Sequence, residues 1–222
     1  WIDNFAEARN YSFSKATADF LFWLDADDTV EGAEAIKPLL AGLPADVGGV
    51  WLPYLYAFDD STPPNCTTLY DRERLLRRSI GWKWTGRLHE VVSPQSPTQF
   101  ISIQSVSLRH AHRGEPRGNR NLRILTKMQE EDPTNERTTW YLGHQHFALR
   151  QWEEAVKIYR QYLQTATRLF DAWQAAVYMA KALRELGRYS EALRADMDAM
   201  IILPEFGEPY FGLGETHCYL AE

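Results

Sequence analysis

The spacing of apolar and polar positions changes character part-way along the chain. Up to about residue 115 it is mixed. Phe5 to Ala18 reads as a helix with Phe5, Ala8, Phe13 and Ala16 as inward positions. Phe20 to Leu24 is a short apolar run of strand type, and Val50 to Phe58 is a longer, aromatic-rich one. Between them, Glu31 to Ala41 predicts a short helix that ends at Gly42 and Pro44. Thr67 to Asp71 and Ser105 to His110 are further strand candidates, and the Pro and Ser residues at 93–98 predict a loop. From Arg120 to Leu220 the pattern is helical throughout, with amphipathic segments separated by short breaks.

The helical half repeats itself. Leu142-Gly143 is followed by Ala155 and Tyr159; Met179-Ala180 is followed by Gly187, Ala192, Ala199 and Pro204; Tyr210, Leu213 and Gly214 open a third unit. The step from Met179 to Leu213 is 34 residues and that from Leu142 to Met179 is 37. A 34-residue period with small residues at helix contacts resembles the tetratricopeptide repeat, in which stacked hairpins bury a shared core. An ordinary bundle with Ala-rich contacts is the competing reading. The fold expectation is therefore an α/β domain over residues 1–115 followed by all-α tetratricopeptide-like repeats over 116–222.

Composition narrows the function classes. Hydrophobic residues make up 45% of the 222, enough for a sizeable core. The net charge of −6 argues against nucleic acid or an anionic membrane surface as the main partner. No apolar run approaches the roughly 20 residues that a bilayer span needs. Cys66 and Cys218 are the two cysteines, far apart in the chain, which points to a reducing, cytoplasmic setting rather than a disulfide framework.

Candidate chemistry concentrates where the first strand ends, at Leu24-Asp25-Ala26-Asp27-Asp28. If the chain stays extended, residues two apart face one side, so Asp25 and Asp27 would converge. Paired carboxylates suit a hard divalent cation that takes its other ligands from water and substrate phosphates. A solvated turn is the simpler explanation, since Asp favours turns. Asp28-Thr29-Val30-Glu31 fits a capping box with Asp28 as N-cap. An EF-hand loop starting at Asp25 fails, because Val30 and Ile36 stand where Gly and Glu are required.

Three ordered motifs carry a family resemblance: Phe5-Ala6-Glu7-Ala8-Arg9-Asn10 ahead of the acidic strand end, Gly86-Arg87-Leu88-His89-Glu90, and His112-Arg113-Gly114. Followed by repeats, this order resembles a family 2 glycosyltransferase of GT-A fold that carries tetratricopeptide repeats. The resemblance implies inverting transfer of a sugar from a nucleotide-diphosphate donor, assisted by Mn²⁺ or Mg²⁺. It implies Asp27 as the leading metal ligand and Asp25 as a metal or ribose contact. His112 is the matching later ligand, with His110 facing the same way in an extended segment. Glu90 is the implied general base and His89 its alternative; Arg9 contacts the donor. Arg113 stands where the family has an aromatic residue. With Arg117, Arg120 and Arg123 it forms a basic run suited to a diphosphate. Trp82 and Trp84 could offer a flat face to an acceptor sugar, or be ordinary core. The family's first strand–helix units, which hold the donor nucleoside, would lie before Trp1. The expectation is a catalytic centre without its base-recognition pocket.

Two other functions compete. One is a non-catalytic module that binds a peptide or protein partner through the repeats. The other is a metal-dependent hydrolase using Asp25, Asp27 and the two histidines. For the transferase, the acceptor is open between a glycan and a peptide or protein.

Overall fold

The computed structural model describes residues 2–111 and 119–221. The chain divides into two compact units, Trp1–Pro116 and Arg117–Glu222.

The first unit is α/β. Helix α1 (Phe5–Lys15) starts at Asn4, whose side-chain oxygen accepts from the Glu7 backbone N–H at 3.1 Å. It ends before Ala18, and its buried position is Ala6; Ala8 is exposed, a correction to the inward set. Strands β1 (Phe20–Phe22), β2 (Asp28–Glu31), β3 (Val47–Phe58), β4 (Cys66–Arg77), β7 (Gln99–Ser102) and β8 (Ser107–His110) build one sheet. Its order is β1-β4-β3-β8-β2, with β7 also paired to β3. Strands β5 (Trp82–Thr85) and β6 (Val91–Pro94) form a separate hairpin. The 3₁₀ turn Ala33–Ala35 and helix α2 (Ile36–Ala41) follow β2.

Tertiary contacts override two local signals. The capping box at Asp28 does not form: Asp28–Glu31 is strand β2, with Asp28 opposite His110 and Glu31 opposite Ser107. The Asp28 carboxylate is occupied by residues far away in sequence, which leaves the local cap without its acceptor. Helix α2 consequently starts only at Ile36, after Gly32 turns the chain at φ 71°. A Cβ at Gly32 would lie 2.2 Å from the Ser105 carbonyl oxygen, so the close passage of β8's approach also requires glycine. The loop foreseen at 93–98 is shorter, because Ser93 and Pro94 belong to β6. One core lies around Val50, Leu52, Tyr54, Leu75, Val106 and Leu108. A second joins Ala6, Leu21, Trp23, Leu76 and Trp84, and so fastens α1 and the hairpin to the sheet edge.

The second unit is all helix: α3 (Arg120–Glu131), α4 (Glu136–Ala148), α5 (Trp152–Leu163), α6 (Leu169–Glu185), α7 (Tyr189–Ile202) and α8 (Glu208–Ala221). Each helix packs on the next, and α4 also meets α6 as α6 meets α8, which is the stacking of a helical-hairpin repeat. The repeat residues do what their spacing asks. A Cβ on Gly143 would come within 2.7 Å of the Tyr159 ring, so glycine lets that fully buried ring lie against α4. Ala155, Ala180, Ala192 and Ala199 are likewise fully buried between helices. The second hairpin departs from the first: four residues after Ala192 stands Asp196, buried and bonded at 2.6 Å by Arg184. Among the described residues no helix is long and apolar enough to cross a membrane.

His144 gives this unit a pH dependence. Its ring packs against Trp140 at 4.0 Å, Tyr178 at 4.7 Å and Tyr159 at 5.3 Å. Nδ1 lies 3.1 Å from the Trp140 carbonyl, and Nε2 has no partner among the described residues. Burial, the largest cause, holds its pKa below the ordinary 6.5. A base with a lowered folded pKa favours folding above its unfolded pKa, and that stability is lost as the pH falls below about 6.5. The urea midpoint of the helical signal in far-UV circular dichroism is expected to fall across this range. His144→Gln should flatten the fall; an equally steep fall in the variant assigns it to other groups.

Candidate functional site

The site grows from the turn between β1 and β2. Leu24 to Asp28 is not extended. The Asp28 N–H donates to the Asp25 carbonyl at 3.0 Å, and the Asp28 carboxylate accepts the Asp25 N–H at 3.1 Å. This closed turn sends the first two carboxylates apart, which corrects the expectation that Asp25 and Asp27 converge on one point. Asp25 faces helix α1 and Asp27 faces the end of β8.

On the α1 side, Arg9 is the organising residue. Its Nη2 is 2.7 Å from Asp25 Oδ1 and its Nε is 2.5 Å from Glu90 Oε1. Its guanidinium also lies 4.8 Å from the Trp23 ring and 4.9 Å from the Trp84 ring. Burial alone would lower the Arg9 pKa, but Asp25 and Glu90 together raise it, so a fixed cation sits between two carboxylates. The neighbouring Asn10 accepts from the Trp84 N–H and donates to the Trp84 carbonyl, both at 2.9 Å, as a strand partner would. The Phe5 N–H donates to the Arg87 carbonyl at 2.9 Å. These bonds hold the β5–β6 loop that carries His89 and Glu90 against α1. The two motif residues part there: His89 adopts φ 53° and is exposed, whereas the Glu90 side chain is 11% exposed and turned to Arg9.

On the β8 side, Asp27, Asp28 and His110 offer ligand atoms within 4.8 Å of one another, a group able to hold a metal ion. The donor set of two carboxylates and an imidazole suits Mn²⁺ or a similar borderline cation. The three are not equivalent. The Asp28 side chain has no exposed surface, and it accepts from the Tyr54 hydroxyl at 2.8 Å while facing Arg74 at 3.3 Å and His110 Nδ1 at 3.3 Å. Burial and the Asp28 carboxylate raise the Tyr54 pKa, so its hydroxyl stays protonated and donates. Asp28 therefore fixes the cluster from below, while Asp27 is 24% and His110 13% exposed above it.

Trp84 is corrected as an acceptor platform. It is 1% exposed and sits edge-on to Trp23 at 4.9 Å and Phe13 at 5.8 Å. Trp82 donates to the Arg77 carbonyl at 2.9 Å and lies edge-on to Phe100 at 5.8 Å. His112, Arg113 and Arg117 lie outside the described residues. Arg120 and Arg123 belong to α3, in the second unit. Sequence reasoning missed Tyr54 and Arg74 and misassigned Asp28. The available signal was an arginine inside the β4 run Arg72-Glu73-Arg74-Leu75-Leu76, where a buried cation demands a buried carboxylate.

Residues 3–95 match the family model described as "Glycosyl transferase family 2". No curated protein matches the chain. Among solved structures, one of MamA AMB-1 matches with TM-score 0.43 and 18% identity, over 47% of this chain and 55% of that one. One of MamA MSR-1 matches with TM-score 0.43 and 18% identity, over 46% and 57%. The chain thus spans little more than half the length of these structures. Over residues 3–95 the chain is similar to glycosyl transferase family 2, and a unit of stacked helical hairpins follows.

Proposed function

We propose that the α/β unit is the catalytic-centre part of an enzyme that transfers a sugar, with inversion, from a nucleotide diphosphate to an acceptor hydroxyl. One observation carries this reading: a single closed turn, 25–28, serves an acid–base group on one side and a cation group on the other. Asp27 and His110 are the residues that would hold a divalent cation, oriented by Asp28. When bound, such a cation neutralises charge on the leaving diphosphate. Arg9 supplies fixed positive charge beside Asp25 and orients Glu90 through its Nε. Glu90, as the carboxylate, accepts the proton of the attacking hydroxyl while the nucleotide diphosphate departs from the opposite face of the sugar. Solvent-accessible thiols at Cys66 and Cys218 favour a reducing, cytoplasmic setting.

Calorimetric titration of UDP-sugars and GDP-sugars into the chain, with and without Mn²⁺, tests the reading. Donor binding is expected to depend on Mn²⁺ and to be lost in Asp27→Ala, with the circular dichroism spectrum unchanged. Metal-independent binding, or binding that survives Asp27→Ala, would sink the cation role.

A second reading has its own observation. The helical unit contains a cavity of 820 Å³ whose lining includes Phe147, Trp152, Arg184, Tyr189, Phe211 and Tyr219. An aromatic groove with a buried arginine suits a peptide or protein partner, either as the acceptor or as the ligand of a non-catalytic module. Failure of every donor to bind together with metal-independent peptide capture would favour the module.

A further inference from the structure

The long β3–β4 hairpin carries aromatic rings that the reaction described above does not use. Tyr54 and Tyr70 are directly opposite in the register of β3 and β4, with ring centroids 5.6 Å apart. Beyond them the ladder slips. Leu55 pairs with Leu69 and Ala57 with Thr68, so Tyr56 is the extra residue of a β-bulge. A bulge re-aims the side chain it carries. Here it keeps Tyr56 beside the Tyr54 ring at 5.7 Å and the Tyr70 ring at 5.8 Å. It also lays Tyr56 flat on His110, with centroids 5.2 Å apart and planes 11° from parallel. Tyr54 is buried, whereas Tyr56 is 45% and Tyr70 37% exposed.

His110 is the histidine whose Nδ1 stands 3.8 Å from Asp27 and 3.3 Å from Asp28. The open aromatic surface is therefore one ring away from the cation group. Its chemistry selects among occupants. The Asp27 carboxylate disfavours an anion lying directly on the rings, as distinct from one held through a bound cation. A single open aromatic face suits the C–H side of a pyranose, which leaves the sugar's hydroxyls to water and to polar neighbours. Tyrosine is suited to such a boundary because one end of the ring is apolar and the other is wet.

We propose that Tyr56 and Tyr70 form a platform on which a neutral pyranose stacks beside the Asp27–His110 group. This deepens the glycosyltransferase reading, which supplies the reason for a sugar to be held there; the pyranose site itself stands on the aromatic geometry. Trp84, by contrast, is closed in the core.

Saturation-transfer difference NMR on the whole chain tests the platform. The probes are the methyl pyranosides of glucose, galactose, mannose and N-acetylglucosamine, with open-chain mannitol as the control. At least one pyranoside is expected to receive saturation at its ring C–H protons, and mannitol none. The signal should vanish in Tyr56→Ala, weaken in Tyr70→Ala and survive in Tyr56→Phe, which keeps the ring. Near-UV circular dichroism checks that the variants remain folded. Absence of pyranoside binding in the unsubstituted chain, or an unchanged signal in a folded Tyr56→Ala, overturns the platform. The donor titration with Mn²⁺ is read separately on the same proteins. Donor binding without a Tyr56-dependent pyranoside signal rejects the platform and keeps the transferase. A Tyr56-dependent signal without donor binding keeps the pyranose site and rejects the transferase reading.

Discussion

Arg74→Leu is expected to destabilise the α/β unit by about 3–5 kcal/mol, the cost of stranding a buried charge. Arg74 is 1% exposed and lies between the rings of Trp23, 3.7 Å away, and Tyr54, 4.4 Å away. Its Nη1 donates to the Trp23 carbonyl at 3.3 Å, and its Nη2 faces Asp28 at 3.3 Å. Burial, the largest cause, lowers its pKa, but a guanidinium starts high enough to remain charged. Leucine fills part of the space and leaves the Asp28 carboxylate buried with only hydrogen bonds to balance it. Urea unfolding followed by tryptophan fluorescence should show the loss, while the helical signal in far-UV circular dichroism keeps its own midpoint. Asp28→Asn combined with Arg74→Leu removes the stranded charge and is expected to recover part of the stability. A wild-type midpoint in the single variant would show that the pair does not support the turn. The same measurement bears on function, because Asp28 holds the backbone of Asp25 and faces His110.

Glu90→Gln should lower sugar transfer about 10²–10⁴-fold, the range for loss of a positioned general base. The substitution preserves volume and lets the amide oxygen still accept from Arg9 Nε, so the loop between β5 and β6 keeps its anchor. What disappears is the ability to take up a proton. Mn²⁺-dependent binding of the donor is expected to persist, because Asp27 and His110 lie on the other side of the turn. The effect therefore belongs in turnover rather than in donor affinity. Full transfer by Glu90→Gln would reduce the Arg9–Glu90 pair to a scaffold contact and reopen His89 as the base. Loss of donor binding would instead mean that the pair shapes the donor site.

Much of the architecture was legible because it rests on periodicity. The 3.6-residue spacing from Arg120 onward becomes helices α3 to α8, and the Gly143–Tyr159 contact follows from a small residue facing a large one. The Ala-Arg-Asn run takes up contacts within the first unit, with Arg9 forked between two carboxylates and Asn10 paired to a strand. Strand β4 was harder to read. The strand expected over Thr67 to Asp71 runs on to Arg77, and only pairing along β3 and the aromatic sandwich carry it through the charged run Arg72-Glu73-Arg74 with a buried arginine.

The sequence by itself placed the carboxylates Asp25, Asp27 and Asp28 together at the end of the first strand, and the family resemblance added Arg9 and Glu90 as candidates. Tertiary structure decided how they divide. Residue type specifies which groups can ionise or coordinate, but partners 16 to 82 positions apart decide where each side chain points. Arg9 draws Asp25 toward Glu90, while Tyr54 and Arg74 claim Asp28 from its helix cap. A bulge in β3 then brings Tyr56 onto His110. These choices are made by charges and rings desolvated together from distant strands, and no local pattern in the chain encodes that proximity.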